Sequence, residues 1–274
     1  VTEGAPTAAG RVTACVTCIT GGASGLGWAL AQAFLARGDA VVLADRDAAL
    51  LTQREAQSGD PSRLLAVAGD LTEADARAAL VAAITARFGR LDVLVHNAGI
   101  THRSPAKRTD PAVIRRVMEV NYHLPVALTA LALPLLRASS GSLVGIGSMA
   151  GWMPVPGRAG YGASKAALAQ YFEVLRQELV ADGVHVLMAY PSFLDTPIER
   201  NALGADGGAA PHARSTVGRI RSAEWQAARI LAALEARRAE VPREWLPAFG
   251  GWLWAIWPAL HRRLMARRFG GELG

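Results

Sequence analysis

Tyr161 and Lys165 stand four residues apart in Tyr161-Gly-Ala-Ser-Lys165, which opens the apolar run Ala166-Ala167-Leu168-Ala169. The stretch reads as the first turns of a helix. Residues at i and i+4 share one helical face, so the phenol and the ammonium can point into one cleft. A free phenol titrates near pH 10 and is a poor base in neutral water. A cation about 5 Å away, at an effective dielectric of 20, favours the phenolate by roughly 3 kcal/mol, or about two pK units. The expectation is therefore a tyrosine acidified by its lysine and used for proton transfer. The plain alternative is a helix start that carries a chance Tyr and a chance Lys.

Other stretches make that alternative less economical. Val12–Thr20 is a continuous Val/Thr/Ile run that suits a strand buried on both faces. It runs into Thr20-Gly21-Gly22-Ala23-Ser24-Gly25-Leu26-Gly27, and Trp28–Arg37 follows with apolar residues at helical spacing and Gly38 placed as its cap. Strand, glycine turn and helix form the setting of a dinucleotide loop. Bare backbone there lets a pyrophosphate approach, and the helix start offers free N–H groups and a positive dipole end. Gly21, Ala23, Ser24, Gly25, Leu26 and Gly27 are the candidate contacts.

Ala40–Ala44 is a second buried strand and ends at Asp45, twenty residues past Gly25. An acid at that spacing can accept from the hydroxyls of an adenosine ribose and repel a 2′-phosphate, which favours NAD. Arg46 follows directly and keeps NADP open, since a guanidinium can pair with that phosphate. Leu64–Ala68 is a third strand, followed by Asp70 and Leu71. Helix Glu73–Phe88 comes next with Gly89 as its cap. Leu91–Val95 is a fourth strand and leads into Asn97-Ala98-Gly99, whose small residues let the chain pass under a nucleotide.

Asp110–Arg137 is expected as one long helix, with Asp110 as N-cap, Pro111 at N1 and a kink at Pro125. Asn121 lies beside the kink, where a bent helix could free a carbonyl to hold a water. Ser142–Gly147 is a fifth strand with Ser148 at its carboxyl end. Ligands of open parallel sheets bind outside such ends. Val184–Tyr190 is a sixth strand, followed by Pro191 and then Thr196, a candidate donor to a nicotinamide amide or else a helix cap. Residues 197–221 form a lid region whose glycine-rich part, Gly204–Gly218, shows no apolar period. Ser222–Arg238 is a helix, and Glu240–Val241 a short seventh strand.

The 274 residues are 51% hydrophobic, which suits one large α/β domain. Strands alternating with helices predict a doubly wound, mostly parallel seven-stranded sheet with helices on both faces. The chain divides into a flexible lead-in (1–10), a dinucleotide-binding and catalytic domain (11–244) and an aromatic, basic extension (245–274). Val1–Gly10 has neither the basic start nor the apolar core of a signal peptide. Cys15 and Cys18 face opposite sides of a strand and read as two core thiols in a reducing compartment, so a cytoplasmic location is expected. No metal-ligand pattern is present.

The net charge of +6 gathers near the C-terminus in Arg262, Arg263, Arg267 and Arg268, which is unlike a nucleic-acid footprint. Trp245, Trp252, Trp254 and Trp257 precede them, four of the seven tryptophans. The run is too short and too broken by Pro247 and Pro258 to span a bilayer. Trp beside Arg suits a peripheral membrane contact. Equally, the tail could be a helical hairpin packed on the substrate cleft or on a second subunit.

Together these residues resemble the short-chain dehydrogenase/reductase family over about residues 10–242. The glycine loop is similar to that family's TGxxxGxG. Asn97-Ala98-Gly99 is similar to its NNAG, with His96 in place of the first Asn. Asn121, Ser148, Tyr161 and Lys165 fall where its catalytic tetrad falls, and Thr196 fits its nicotinamide loop, with Ser192 in place of a Gly. Asn121-Tyr122, Pro125 to Thr129 and Leu133-Pro134 resemble the branch that includes 11β-hydroxysteroid dehydrogenase and its membrane-associated relatives. The resemblance implies hydride transfer between a lipophilic secondary alcohol or ketone and a nicotinamide. Tyr161 would exchange the proton, Lys165 would lower its pKa and bind ribose, Ser148 would hold the substrate oxygen and Asn121 a relay water. It also implies a homodimer or homotetramer. The rival expectations are a non-catalytic NAD(H) sensor and a membrane-surface scaffold.

Overall fold

The computed structural model describes residues 15–272, so the expected lead-in lies outside the described residues. Six strands build one sheet: β1 (Val16–Thr20), β2 (Ala40–Asp45), β3 (Leu64–Ala68), β4 (Val93–His96), β5 (Ser142–Ile146) and β6 (His185–Ala189). Their order is β3-β2-β1-β4-β5-β6, and every pairing is parallel. The expected seventh strand is reduced among the described residues to one parallel bridge, Met188 to Glu240, in which Val241 N–H donates to the Met188 carbonyl at 2.9 Å. β6 ends at Ala189, and no further bridge follows in the described residues.

β1, β4 and β5 are buried along their whole length, as both faces are covered by helices. On one face α1 (Gly25–Arg37) and α8 (Ala223–Glu235) close over Ile19, Leu43 and Val95 through Leu30, Phe34 and Ile230. On the other, α3 (Ala74–Phe88), α5 (Leu124–Ser139) and α6 (Ala159–Glu178) cover Cys18, Val42 and Leu94 through Leu80, Ile84, Leu128 and Phe172. Cys18 is a core thiol as expected. Cys15 is exposed, because it precedes β1 instead of lying within it.

Local chemistry sets the helix ends. Gly38 and Gly89 adopt left-handed conformations that finish α1 and α3. Asp47 caps α2 (Ala48–Gln57), Asp110 caps α4 (Pro111–Met118), and Ser222 caps α8. The long helix expected from Asp110 is in fact α4 and α5 joined by a π-helical turn, Glu119–His123. Pro125 removes the amide that an α-helix would bring to the Asn121 carbonyl, and the turn widens, with Leu124 N–H reaching back to Glu119.

Beyond β6 come α7 (Pro197–Arg200) and the irregular lid region. The C-terminal extension forms α9 (Trp245–Ile256) and α10 (Pro258–Phe269), two helices in contact and separated at Trp257-Pro258. Among the described residues no helix is long and apolar enough to cross a membrane.

Candidate active site

The strand order reverses between β1 and β4, and the loops leaving these carboxyl ends diverge to leave a crevice. A cleft of about 540 Å³ occupies it and runs from β2 and β3 past β5 to the C-terminal extension. Gly21, Ser24, Gly25 and Leu26 form its floor at the start of α1. Gly25 has φ +51°, and a Cβ there would meet Thr196 at 3.1 Å. A Cβ on Gly27 would fall 2.1 Å from the Gly21 carbonyl. The turn therefore tolerates no side chain at either place, and leaves a backbone cradle at a helix N-terminus. Ala23 and Gly27 are buried behind the cradle and do not line the cleft.

Asp45 and Arg46 line the far end, with Asp70 and Leu71 opposite. The Asp45 carboxylate accepts from Ala23 N–H at 3.1 Å and Asp47 N–H at 3.2 Å, so it braces the glycine turn as well as facing the cleft. Thr72, through its amide and hydroxyl, holds the Asp70 carboxyl below the usual range, helped by Arg46 and Arg116. Arg116, from α4, is a cleft residue that sequence reasoning missed. Asn97, Ala98 and Gly99 line the middle. Asn97 also ties β4 to the glycine turn, donating to the carbonyls of Thr20 at 3.0 Å and Gly21 at 2.9 Å. His96, in place of an Asn, turns into the core, where it bonds Thr129 Oγ1 at 2.9 Å, and burial lowers its pKa to about 3.

Ser148, Tyr161 and Lys165 meet at the carboxyl end of β5. Ser148 caps a short 3-10 turn, Met149–Gly151, by accepting from Ala150 N–H. That cap does not use its hydroxyl hydrogen. Lys165 Nζ lies 5.9 Å from the Tyr161 ring centroid and donates to the Ile146 carbonyl at 2.8 Å. Both side chains are thus in one cleft. The expected acidification of the phenol, however, is not found. Tyr161 as a residue is part-exposed, but loss of water around its hydroxyl pushes the pKa up to about 12. The Ser148 hydrogen bond and Arg158 oppose that rise, and Glu199 adds to it. Lys165 pays the larger cost: burial lowers it to about 8. Desolvation penalises both charges, and the ammonium is held by a carbonyl.

Asn121 is fully buried and does not line the cleft. Its Nδ2 donates to the Ile100 carbonyl and Ser164 Oγ, both at 2.9 Å, and its Oδ1 accepts from Ile100 N–H at 2.9 Å. The side chain is committed to holding the π-helical turn against α6.

Pro191 and Thr196 line the near wall. Thr196 begins α7 without capping it through its side chain. Ser192, in place of a Gly, donates to Glu244 Oε1 at 2.9 Å and so fastens this loop to the start of α9. Met149, Val155, Phe193, Leu203 and Phe269 add apolar lining to the cleft, beside the charged Glu199 and Arg214. Phe269 comes from the end of α10. Arg158 also lines the cleft and forms a buried ion pair with Glu272 at 2.7 Å. The tail is therefore a helix pair packed on the cleft, with Gly251 against Trp152 and Gly250 against Met153. Neither Arg158 nor Phe269 carried a sequence signal, since both act across long chain separations. Among the described residues no group of His, Cys, Asp or Glu could hold a metal ion.

Comparison with known proteins agrees with this geometry. The chain is 37% identical over 262 residues to dehydrogenase/reductase SDR family member 7B of Bos taurus, covering 92% of this chain and 81% of that one. It is 36% identical over 187 residues to 11-beta-hydroxysteroid dehydrogenase A of Sesamum indicum, covering 67% and 53% of the two chains. A short-chain dehydrogenase from Streptomyces avermitilis superposes with a TM-score of 0.76 at 28% identity over 94% of this chain and 97% of that one. A 3-ketoacyl-(acyl-carrier-protein) reductase from Brucella melitensis, solved with NADH, gives a TM-score of 0.65 at 30% identity over 67% and 77%. The family model described as short chain dehydrogenase matches residues 15–205, and the chain belongs to that family.

Proposed function

We propose that the chain is an NAD(P)-dependent oxidoreductase that interconverts a lipophilic secondary alcohol and its ketone. The observation that carries this reading is the meeting of Ser148, Tyr161 and Lys165 in the same cleft as the backbone cradle and the apolar Met149, Val155, Phe193 and Phe269. A bound nicotinamide accepts or supplies the hydride. Gly21, Ser24, Gly25 and Leu26 fit its pyrophosphate, Asp45 its adenosine ribose, and Asp70 and Leu71 its adenine. Asn97 to Gly99, Tyr161, Lys165, Pro191 and Thr196 fit the nicotinamide half. Asp45 favours NAD, while Arg46 and Arg116 at the same end leave NADP as the competitor.

Tyr161 gives its proton to the substrate oxygen in reduction and takes one in oxidation. Ser148 donates to that oxygen as charge grows on it. Lys165 spends one of its three hydrogens on Ile146 and has two for a cofactor ribose. Because the Asn121 side chain is spent on Ile100 and Ser164, a relay water would rest on its main-chain carbonyl. Met149, Val155, Phe193 and Phe269 suit a hydrophobic body beyond the reacting carbon. Fluorescence titration with NADH and NADPH, followed by a panel of hydrophobic alcohols with the tighter cofactor, tests the reading. Saturable binding with no turnover across the panel would favour a sensor instead.

A peripheral membrane contact belongs to the same reading. Trp245, Phe249, Trp252 and Ile256 recur every three or four residues along α9 and are 50–77% exposed. They form one outward stripe, while Leu253 faces inward. Arg262, Arg263 and Arg267 are exposed on the adjoining α10. Aromatic residues at the headgroup level beside guanidinium groups suit an anionic bilayer surface. Flotation with phosphatidylserine vesicles, lost in a Trp245→Ser/Trp252→Ser/Ile256→Ser variant, is the expected result. Exposed Leu131 on α5 and Val174 on α6 support pairing of subunits through those helices, which light scattering would read as a dimer or tetramer.

A further inference from the structure

α6 carries Tyr161 in its first turn, yet no side chain next to it in sequence caps that helix. The first amides of a helix have no partner within it. Here the partner comes from 58 residues upstream: Gly160 N–H donates to His102 Nε2 at 2.9 Å. His102 is fully buried. Gly160 leaves room for the ring, as a Cβ there would lie 3.1 Å from Nε2.

An amide can only donate, so Nε2 is the acceptor and the ring hydrogen sits on Nδ1. Nδ1 in turn faces Ser104 Oγ at 3.1 Å. Ser104 Oγ meets Thr109 Oγ1 at 2.8 Å, and Thr109 Oγ1 donates to the Pro105 carbonyl at 2.9 Å. Every donor in this buried chain points away from the imidazole, which fixes one tautomer. Burial and the Arg158 charge keep the ring neutral, with its pKa lowered to about 4. The acceptor on Nε2 is therefore present throughout the neutral range.

The backbone of the same residue is fastened to the lid. His102 bridges Leu203 in parallel register. Leu203 N–H donates to the Thr101 carbonyl at 2.9 Å, and Arg103 N–H donates to the Leu203 carbonyl at 2.7 Å. Leu203 is part of the apolar lining of the cleft. One buried residue thus joins the turn that carries the phenol to the segment that walls the substrate.

We propose that His102 is a positioning residue for Tyr161: a remote cap that fixes the first turn of α6 and ties it to the lid. This rests on the oxidoreductase reading above only for its kinetic consequence. Loss of the cap frees the Gly160 amide and lets the hydroxyl drift, and sub-ångström drift of an acid–base group is costly to turnover. Cofactor binding, made largely by the glycine turn, is spared.

Two measurements test it. The first needs no turnover: nitrogen-15 spectra of the full chain should show His102 as the Nδ1–H tautomer and the Gly160 amide as slowly exchanging. An Nε2–H tautomer, or fast exchange at Gly160, would overturn the assignment of the cap whatever the enzyme does. The second compares His102→Gln, which keeps an acceptor, with His102→Ala. The alanine variant should lose on the order of tenfold or more in kcat with an unchanged KM for cofactor, and the glutamine variant should recover part of it. A kcat within about twofold of the parent in His102→Ala, or equal losses in both variants, removes His102 from this role. Should His102→Ala fail to fold, Ser104→Ala releases the tautomer without opening a large cavity and should lower kcat in the same selective way. Unaltered kcat in that variant counts against the proposal. Tyr161→Phe run alongside separates the two readings, because normal turnover there defeats the oxidoreductase mechanism and leaves the His102 spectra unaffected.

Discussion

Arg158 and Glu272 lie 114 residues apart in sequence and form an ion pair at 2.7 Å, with the residues 6% and 3% exposed. The second Glu272 oxygen accepts from the Ser215 amide of the lid region. One carboxylate near the C-terminus therefore holds a cleft arginine three residues before Tyr161 and the lid together. Removing one partner of a buried pair leaves a charge without compensation, at a cost of about 3–5 kcal/mol, whereas replacing both by apolar groups is often neutral. Glu272→Ala should lower the urea midpoint sharply, and Arg158→Met/Glu272→Leu should restore most of it. Equal loss in single and double variants would mean that the pair contributes through packing alone.

Tyr161 and Ser148 separate chemistry from binding. Tyr161→Phe removes the transferable proton and leaves the ring in place, so turnover should fall by about 100- to 10,000-fold. The dissociation constant for NADH should stay within about threefold, since the ring still packs in the cleft. Ser148→Ala should also lower kcat, though it gives up the Ala150 bond that caps the following turn. Stopped-time product assays beside fluorescence titration measure both. Near-normal kcat in Tyr161→Phe would remove the phenol from the mechanism.

Lys165 gives a stability signature with a definite sign. Its folded pKa of about 8 lies below the ordinary 10.5. The unfolded chain thus binds the extra proton between these values, and folding is penalised fully below pH 8 and not at all above about pH 10.5. The difference is about 3 kcal/mol. Urea unfolding of the parent and of Lys165→Met should show the parent gaining about that much relative to the variant as the pH rises from 8 to 10.5. Tyr161 in the folded parent, raised to about 12, keeps its proton over this range. A flat difference would mean that the ammonium is well hydrated.

Asp45 decides between the two dinucleotides. Asp45→Asn keeps an acceptor for Ala23 N–H but loses the negative charge facing Arg46 and Arg116. The ratio of NADPH to NADH affinity should rise by about tenfold or more, equivalent to roughly 1.4 kcal/mol. Isothermal titration with both cofactors reads it. An unchanged ratio would assign Asp45 to bracing the glycine turn only.

Residue order alone made legible whatever depends on neighbours along the chain. The apolar run Ala40–Ala44 needs burial on two faces and became β2, and Leu64–Ala68 became the part-exposed edge strand β3, both with nearly the expected ends. Gly38, Gly89, Asp110 and Ser222 stop or start helices through bonds within a few residues, so their roles were legible. The four-residue spacing of Tyr161 and Lys165 required a shared face once α6 formed.

The assembled fold settled how distant groups desolvate and satisfy one another. It commits the Asn121 side chain to Ile100 and Ser164, and it raises the phenol that its lysine was expected to acidify. It shortens the seventh strand to a bridge at Glu240 and leaves Cys15 exposed. It gathers His102, Arg158 and the Phe269–Glu272 stretch around one part of the cleft from three separate segments. Burial and long-range hydrogen bonding depend on which surfaces meet, and no local pattern of residue types encodes that meeting.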